Sequence, residues 1–127
     1  MSGGFPPLHA PGSLLAQVTP DDVSAGTVYS ADHQTEITNM IVANHTVSAT
    51  QYTIYHDDAG DVSGTAIYSA TTALFPGILL PGNSSDMYEA DFPGNGIQVA
   101  KGGRIGFRSE TTGNLTLSIY GVVGQAP

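Results

Sequence analysis

The sequence predicts an all-β protein: an antiparallel β-sandwich or small barrel of jelly-roll type, preceded by an extended N-terminal arm. Three observations predict it. Short β-prone runs recur from residue 14 onward, several with strict apolar/polar alternation. Turn residues separate these runs at close spacing. No window holds an apolar repeat of helical period for three turns. With 127 residues, the chain accommodates one domain. A domain of that size buries about two-thirds of its unfolded surface, so it can fold around a core without cross-links.

Residues 1–13 read as the arm. Gly3, Gly4, Pro6, Pro7, Pro11 and Gly12 prevent a helix and discourage a central strand. Pro6 and Pro7 favour extended polyproline geometry. Phe5 and Leu8 give the arm apolar anchors, so the expectation is an arm docked on a neighbour rather than a solvating tail. Residues 14–127 form the β-domain. Its first strands are expected at 14–18, which begins with Leu14 and Leu15, and at 26–30. The intervening 19–25 holds one helical turn at most. Strands follow at 36–44 and at 50–57, where Tyr52 and Ile54 oppose Gln51, Thr53 and Tyr55. Shorter strands are expected at 65–70, 77–80, 86–90 and 96–99. In 103–109, Ile105 and Phe107 point one way and Arg104 and Arg108 the other. The clearest alternation closes the chain at 115–123, with Leu115, Leu117 and Ile119 against Thr116, Ser118 and Tyr120. The turns Asp58-Ala59-Gly60-Asp61, Pro81-Gly82-Asn83, Pro93-Gly94-Asn95-Gly96 and Thr112-Gly113-Asn114 use residues that tolerate or preset turn dihedrals.

Composition narrows the function. The chain has 11 acidic and 3 basic residues, a net charge of −8. Phosphate backbones and anionic membrane surfaces both repel such a chain, so neither nucleic acid nor membrane is an expected partner. Only 11% of residues are charged, so solubility rests on Ser, Thr, Asn, Gln and Gly. That pattern is common in β-proteins partly covered by partners. The basic residues Lys101, Arg104 and Arg108 share one short window. They read as a solvated strand edge, with a basic spot meeting a neighbour's acidic patch as the alternative. There is no cysteine, hence no disulfide and no thiolate ligand or nucleophile. No stretch approaches the ~20 apolar residues of a membrane-spanning helix. The N-terminus lacks a basic and an apolar region in series, so no secretory signal is expected.

The search for reaction chemistry returns structural explanations. His9, His33, His45 and His56 show no His-x-His or His-x-x-x-His spacing for a local zinc pair. His56, Asp57 and Asp58 place a base beside carboxylates, but where a strand opens into an Asp/Gly turn, turn chemistry accounts for them. Residues 57–61 look superficially like a calcium loop, yet Ala59 stands where a ligand is required. Glu89 and Asp91 share a face of one strand, and one strand cannot clasp a sugar from both sides. No nucleophile elbow and no phosphate loop occur. The sequons at Asn44, Asn83 and Asn114 read as turn residues. No catalytic residue, metal or cofactor is therefore expected. Tyrosine suits interfaces, because it buries area and keeps a polar tip. Tyr55 and Tyr120, predicted opposite the apolar faces of their strands, are the expected interface tyrosines.

Residues 26–123 carry a series of runs: TVYSA, TEITNMIVANHT, ATQYTIYHDD, a PGNSSD turn, GIQVAKGGRIGF, and a closing LTLSIYGVV. In content and order this series resembles small virion structural proteins of tailed bacteriophages. The runs are patterns of strand and turn, not catalytic signatures. The resemblance implies a β-sandwich or barrel in the virion, often a homotrimer, serving as a capsid decoration (cement) subunit or as a tail-associated component. The partners it implies are further copies of the chain and the major capsid protein or other virion proteins. On this reading Phe5, Pro6, Pro7, Leu8, Leu14 and Leu15 lie on neighbours, and Tyr55, Arg104, Arg108 and Tyr120 complete the contact surface. A tail-fibre or baseplate module that binds host glycans through Tyr, Asn and Asp loops is the alternative.

Overall fold

The protein is an all-β sandwich, seen in a computed structural model that describes residues 13–57, 68–69, 72–88 and 97–124. Nine strands run through these residues: β1 (Ser13–Val18), β2 (Gly26–Ser30), β3 (Thr35–Asn44), β4 (Thr50–Asp57), β5 (Ala73–Leu80), β6 (Ser85–Tyr88), β7 (Ile97–Val99), β8 (Arg104–Ser109) and β9 (Leu115–Val123). No helix occurs among the described residues. One sheet has the order β1-β9-β3-β6, with β7 pairing on β3 next to β6; the other has the order β2-β8-β4-β5. Every pairing is antiparallel. Two separate sheets resolve the choice between sandwich and barrel in favour of the sandwich. Residues 1–12, the greater part of the expected arm, lie outside the described residues.

The alternation read from the sequence is what builds the core. In β9, Leu115, Leu117 and Ile119 are fully buried, and in β8 so are Ile105 and Phe107. Ile37, Met40, Val42 and Val99 complete the five-stranded side, and Tyr52, Ile54 and Leu80 the other. Each such side chain contributes about 1.5–3 kcal/mol by leaving water. Thr38 interrupts the alternation of β3: the β3–β9 register shifts between Ile37 and Asn39. A bulge there keeps both halves of a ten-residue strand facing the core.

Two strand expectations need correction. The run 77–80 is the end of a longer strand that starts at Ala73. Pro76 and Gly77 read as a break because proline cannot donate to a ladder. β5, however, is an edge strand, and Gly77 (φ +56°) absorbs the irregularity beside a register shift against β4. Of the expected strand 65–70, only Tyr68 and Ser69 are described, and neither is in a strand.

The loops are tied by side chains. Asn44 is buried, and its amide donates to the carbonyls of Ser48 (2.9 Å), Leu80 (3.2 Å) and Pro81 (3.2 Å). Its Oδ1 accepts from the backbone N–H and the hydroxyl of Thr46, each at 3.0 Å. One residue thus fastens the β3–β4 turn to the β5–β6 turn. Asn83, at φ 53°, adopts the left-handed conformation that this second turn requires.

Candidate functional site

The outer face of the five-stranded sheet is set by the continuous apolar run Met40-Ile41-Val42-Ala43 in β3. Strand alternation sends Met40 and Val42 inward, where they are fully buried, so Ile41 and Ala43 must face outward. Register then places their neighbours. Ile41 lies between Ser118 of β9 and Met87 of β6. One row along, Asn39 pairs with Tyr120, and Tyr120 with Leu14 of β1. Leu14 is 52% exposed and Met87 57%. The two central rows are therefore Met87-Ile41-Ser118-Gln17 and Asn39-Tyr120-Leu14, with Gln17 donating to the Ser118 hydroxyl at 2.8 Å. The flanking rows are mostly polar, with Val122 in one and Ala43 in the other. At one end Thr116 bonds Thr19 (2.6 Å) and His45; at the other Glu36 lies between Val122 and Gln98. Among these outward side chains, Glu36 is the one carboxylate, with no lysine or arginine beside it.

The opposite face is closed by the chain itself. Tyr68 lies over Gly106 of β8, where an added Cβ would stand 2.5 Å from its ring. Its hydroxyl bonds Thr27 at 2.5 Å, and its ring packs against Tyr55 at a centroid distance of 5.4 Å. Burial pushes the Tyr68 phenol above the ordinary tyrosine range, against the lowering effects of the Thr27 bond and Arg104. Tyr55 is accordingly only 8% exposed. The expectation of an outward, available Tyr55 is corrected: it does point away from the core, but Tyr68 covers it. Arg104 pairs with Asp57 across the β4–β8 ladder. Arg108 binds Glu110 at 2.9 Å and donates from Nε to the Val23 carbonyl at 3.1 Å. Both arginines point away from Ile105 and Phe107, as read from the sequence, and Arg108 commits Nε and Nη1 within its own chain.

Of the expected contact residues, then, the structure brings Leu14 and Tyr120 together. Leu15 falls at a register shift between Leu14 and Ala16, which turns it toward the core beside Gly121. Phe5, Pro6, Pro7 and Leu8 lie outside the described residues. The sequence reading missed Ile41 and Met87. The signal for Ile41 was present: a four-residue apolar run on a strand must put two of its members outside.

A second cluster lies between the sheets. Tyr52 of β4 is buried, and its hydroxyl donates to Asp86 of β6 at 2.6 Å. Tyr88 sits 2.5 Å from the same hydroxyl, and because that proton is committed to Asp86, Tyr88 is the donor. Phe75 stacks on Tyr88 at 4.1 Å. Burial first, then the bond donated to Asp86, push the Tyr52 phenol far above the ordinary range; burial raises Tyr88 as well. Both phenols are thus fixed in the neutral form. They act as a lock between the sheets, not as acids or bases near neutral pH.

Among the described residues no three His, Asp or Glu side chains are grouped to hold a metal ion. His56 stands opposite Ile105 in the ladder, with its backbone N–H bound to the Thr72 carbonyl. Asp58, Glu89, Asp91 and most of the calcium-like loop lie outside the described residues. Asn44 is buried with its amide fully used, so that sequon is structural. A hollow of about 150 Å³ between Pro20, Asp22, Thr27 and Phe107 is half the smallest usual volume of a small-molecule site. No family model, no curated protein and no solved structure matches this chain.

Proposed function

We propose that this protein is a non-enzymatic structural subunit of a bacteriophage virion, a capsid decoration protein that stabilises the head by associating with the shell and with other copies of itself. The outer face of the five-stranded sheet carries this reading. Among the described residues it presents apolar and neutral polar side chains at its centre and one charge, Glu36, at its end, on a chain of net charge −8. Depletion of charge with Tyr and Met at the centre is the composition of contact surfaces. β1, on which the sheet begins, continues directly from the Gly/Pro-rich segment with Phe5 and Leu8. The sequence resemblance supplies the particle.

A subunit that binds the assembled shell, and not its free components, stabilises it by mass action. Particles stripped of the protein are expected to lose DNA at lower temperature or lower ionic strength, and to recover when it is added back. Unchanged particle stability refutes the decoration reading. Counting copies separates the head from the tail: hundreds per particle fit the head, whereas a few to tens on the tail assign a fibre or baseplate module.

A further inference from the structure

We infer that the outer face of the five-stranded sheet is the contact between two copies of this chain, each presenting the same face to the other across a two-fold axis. The inference rests on reading the protein as an assembling subunit, and it names the surface and the partner.

Charge selects the occupant. Two copies of net charge −8 repel unless they meet through a surface without charge. Among the described surfaces the outer face of the other sheet carries Arg104, Arg108 and Asp57 and is partly covered by Tyr68. Among the described residues the five-stranded face holds only Glu36, at its end row. Sheets in a sandwich pack about 10 Å apart, so charges on the far side lie beyond the Debye length of about 8 Å at physiological salt. The charges of the far face therefore act weakly across this one.

Shape and area agree. The central rows hold Leu14, Tyr120, Ile41 and Met87 beside Asn39, Ser118 and Gln17, and the end rows are more polar, as in a contact whose apolar side chains gather at the centre. Four strands at about 4.8 Å and four rows at about 6.8 Å outline about 500 Å² per copy. Two faces bury about 1,000 Å², the lower bound for a specific interface. A face that meets itself gives an isologous contact and closes at two copies.

The test is the native mass of the full chain by sedimentation equilibrium at about 1 to 100 μM, the weak range that so small an interface spans. The expected result is a two-copy species. Met87→Lys and Leu14→Lys change exposed side chains, and each should weaken it at least about tenfold by placing an unpaired charge in the contact. Leu79→Lys, 60% exposed on the other sheet, should leave it unchanged. Raising salt should not dissociate the pair, as it would a contact built on Arg104 and Arg108. A one-copy mass throughout, a three-copy mass, or equal effects of Met87→Lys and Leu79→Lys overturns the inference. So does a chain lacking residues 1–12 that pairs while the full chain does not, because the arm is then the occupant. A full chain of one-copy mass that still stabilises particles overturns the pairing alone. A pair that leaves particles unaffected overturns the virion function alone.

Discussion

Replacing Gly106 with alanine tests the closure of the four-stranded sheet. The added Cβ would stand 2.5, 2.7 and 2.8 Å from three ring carbons of Tyr68. The ring must therefore move, and it is held by the bond to Thr27 and by the packing on Tyr55. Overpacking of this kind costs about 1–3 kcal/mol. Loss of the aromatic pair adds about 0.5–1.5 kcal/mol if the ring swings out. Against this, alanine reduces the freedom of the unfolded chain by about 0.4–1 kcal/mol, because Gly106 lies outside the positive-φ region. The net expectation is a loss of about 1–3 kcal/mol, or about 4 °C in Tm per kcal/mol. Urea unfolding of Gly106→Ala, Tyr68→Ala and the double variant isolates the cause. With Tyr68 already removed, the glycine substitution should be neutral or stabilising. A single variant as stable as the parent, or the same loss in both backgrounds, refutes the account.

Tyr52→Phe leaves Asp86 and Tyr88 without their shared partner and should cost about 1–3 kcal/mol. The phenol is raised in the folded state, so its contribution is complete below the unfolded value near pH 10 and is lost as pH rises above it. Stability measured from pH 9 to 12 should therefore fall less steeply in the variant, by about 1.4 kcal/mol per pH unit for one proton. Asn44→Ala removes the fastening between two turns and should cost about 2–4 kcal/mol by urea unfolding, from several lost bonds and the carbonyls left buried. Arg108→Ala, by contrast, removes an exposed ion pair and should change stability by less than about 1 kcal/mol.

Much of the fold was legible because burial on one face imposes a period of two. Residues 115–123 and 103–109 announced both their strands and their buried sides. Legibility failed where a local rule yields to position in the sheet. Pro76 and Gly77 look like a break, yet an edge strand tolerates them. Tyr55 lies on the outer side of β4, as its alternation says, but no local pattern reveals that Tyr68 comes back to cover it. Leu15 shares the apolar character of Leu14, and only the register shift in β1 sends the two to different sides. The contact face was half legible: Tyr120 followed from alternation and Leu14 from its place beside the arm. Met87 required the pairing of β6 with β3, which joins residues far apart in the chain.

The edges of the sandwich bear on how copies meet. A strand with free backbone groups is a template for pairing with another chain, and the edge strands β1, β2 and β5 are blunted. β5 carries Pro76 and the positive-φ Gly77. β1 and β2 each contain a register shift. Strand addition at β1, β2 and β5 is thus disfavoured, and association through these edges would need the irregularities undone. One outer face is partly covered by Tyr68 and carries Arg104, Arg108 and Asp57. The remaining broad surface is the face around Tyr120, Ile41 and Met87, which uses side chains instead of backbone. Contact through it is reversible and limited by its area. On the proposed function, many copies on one shell would link such weak contacts, which gain strength from their number.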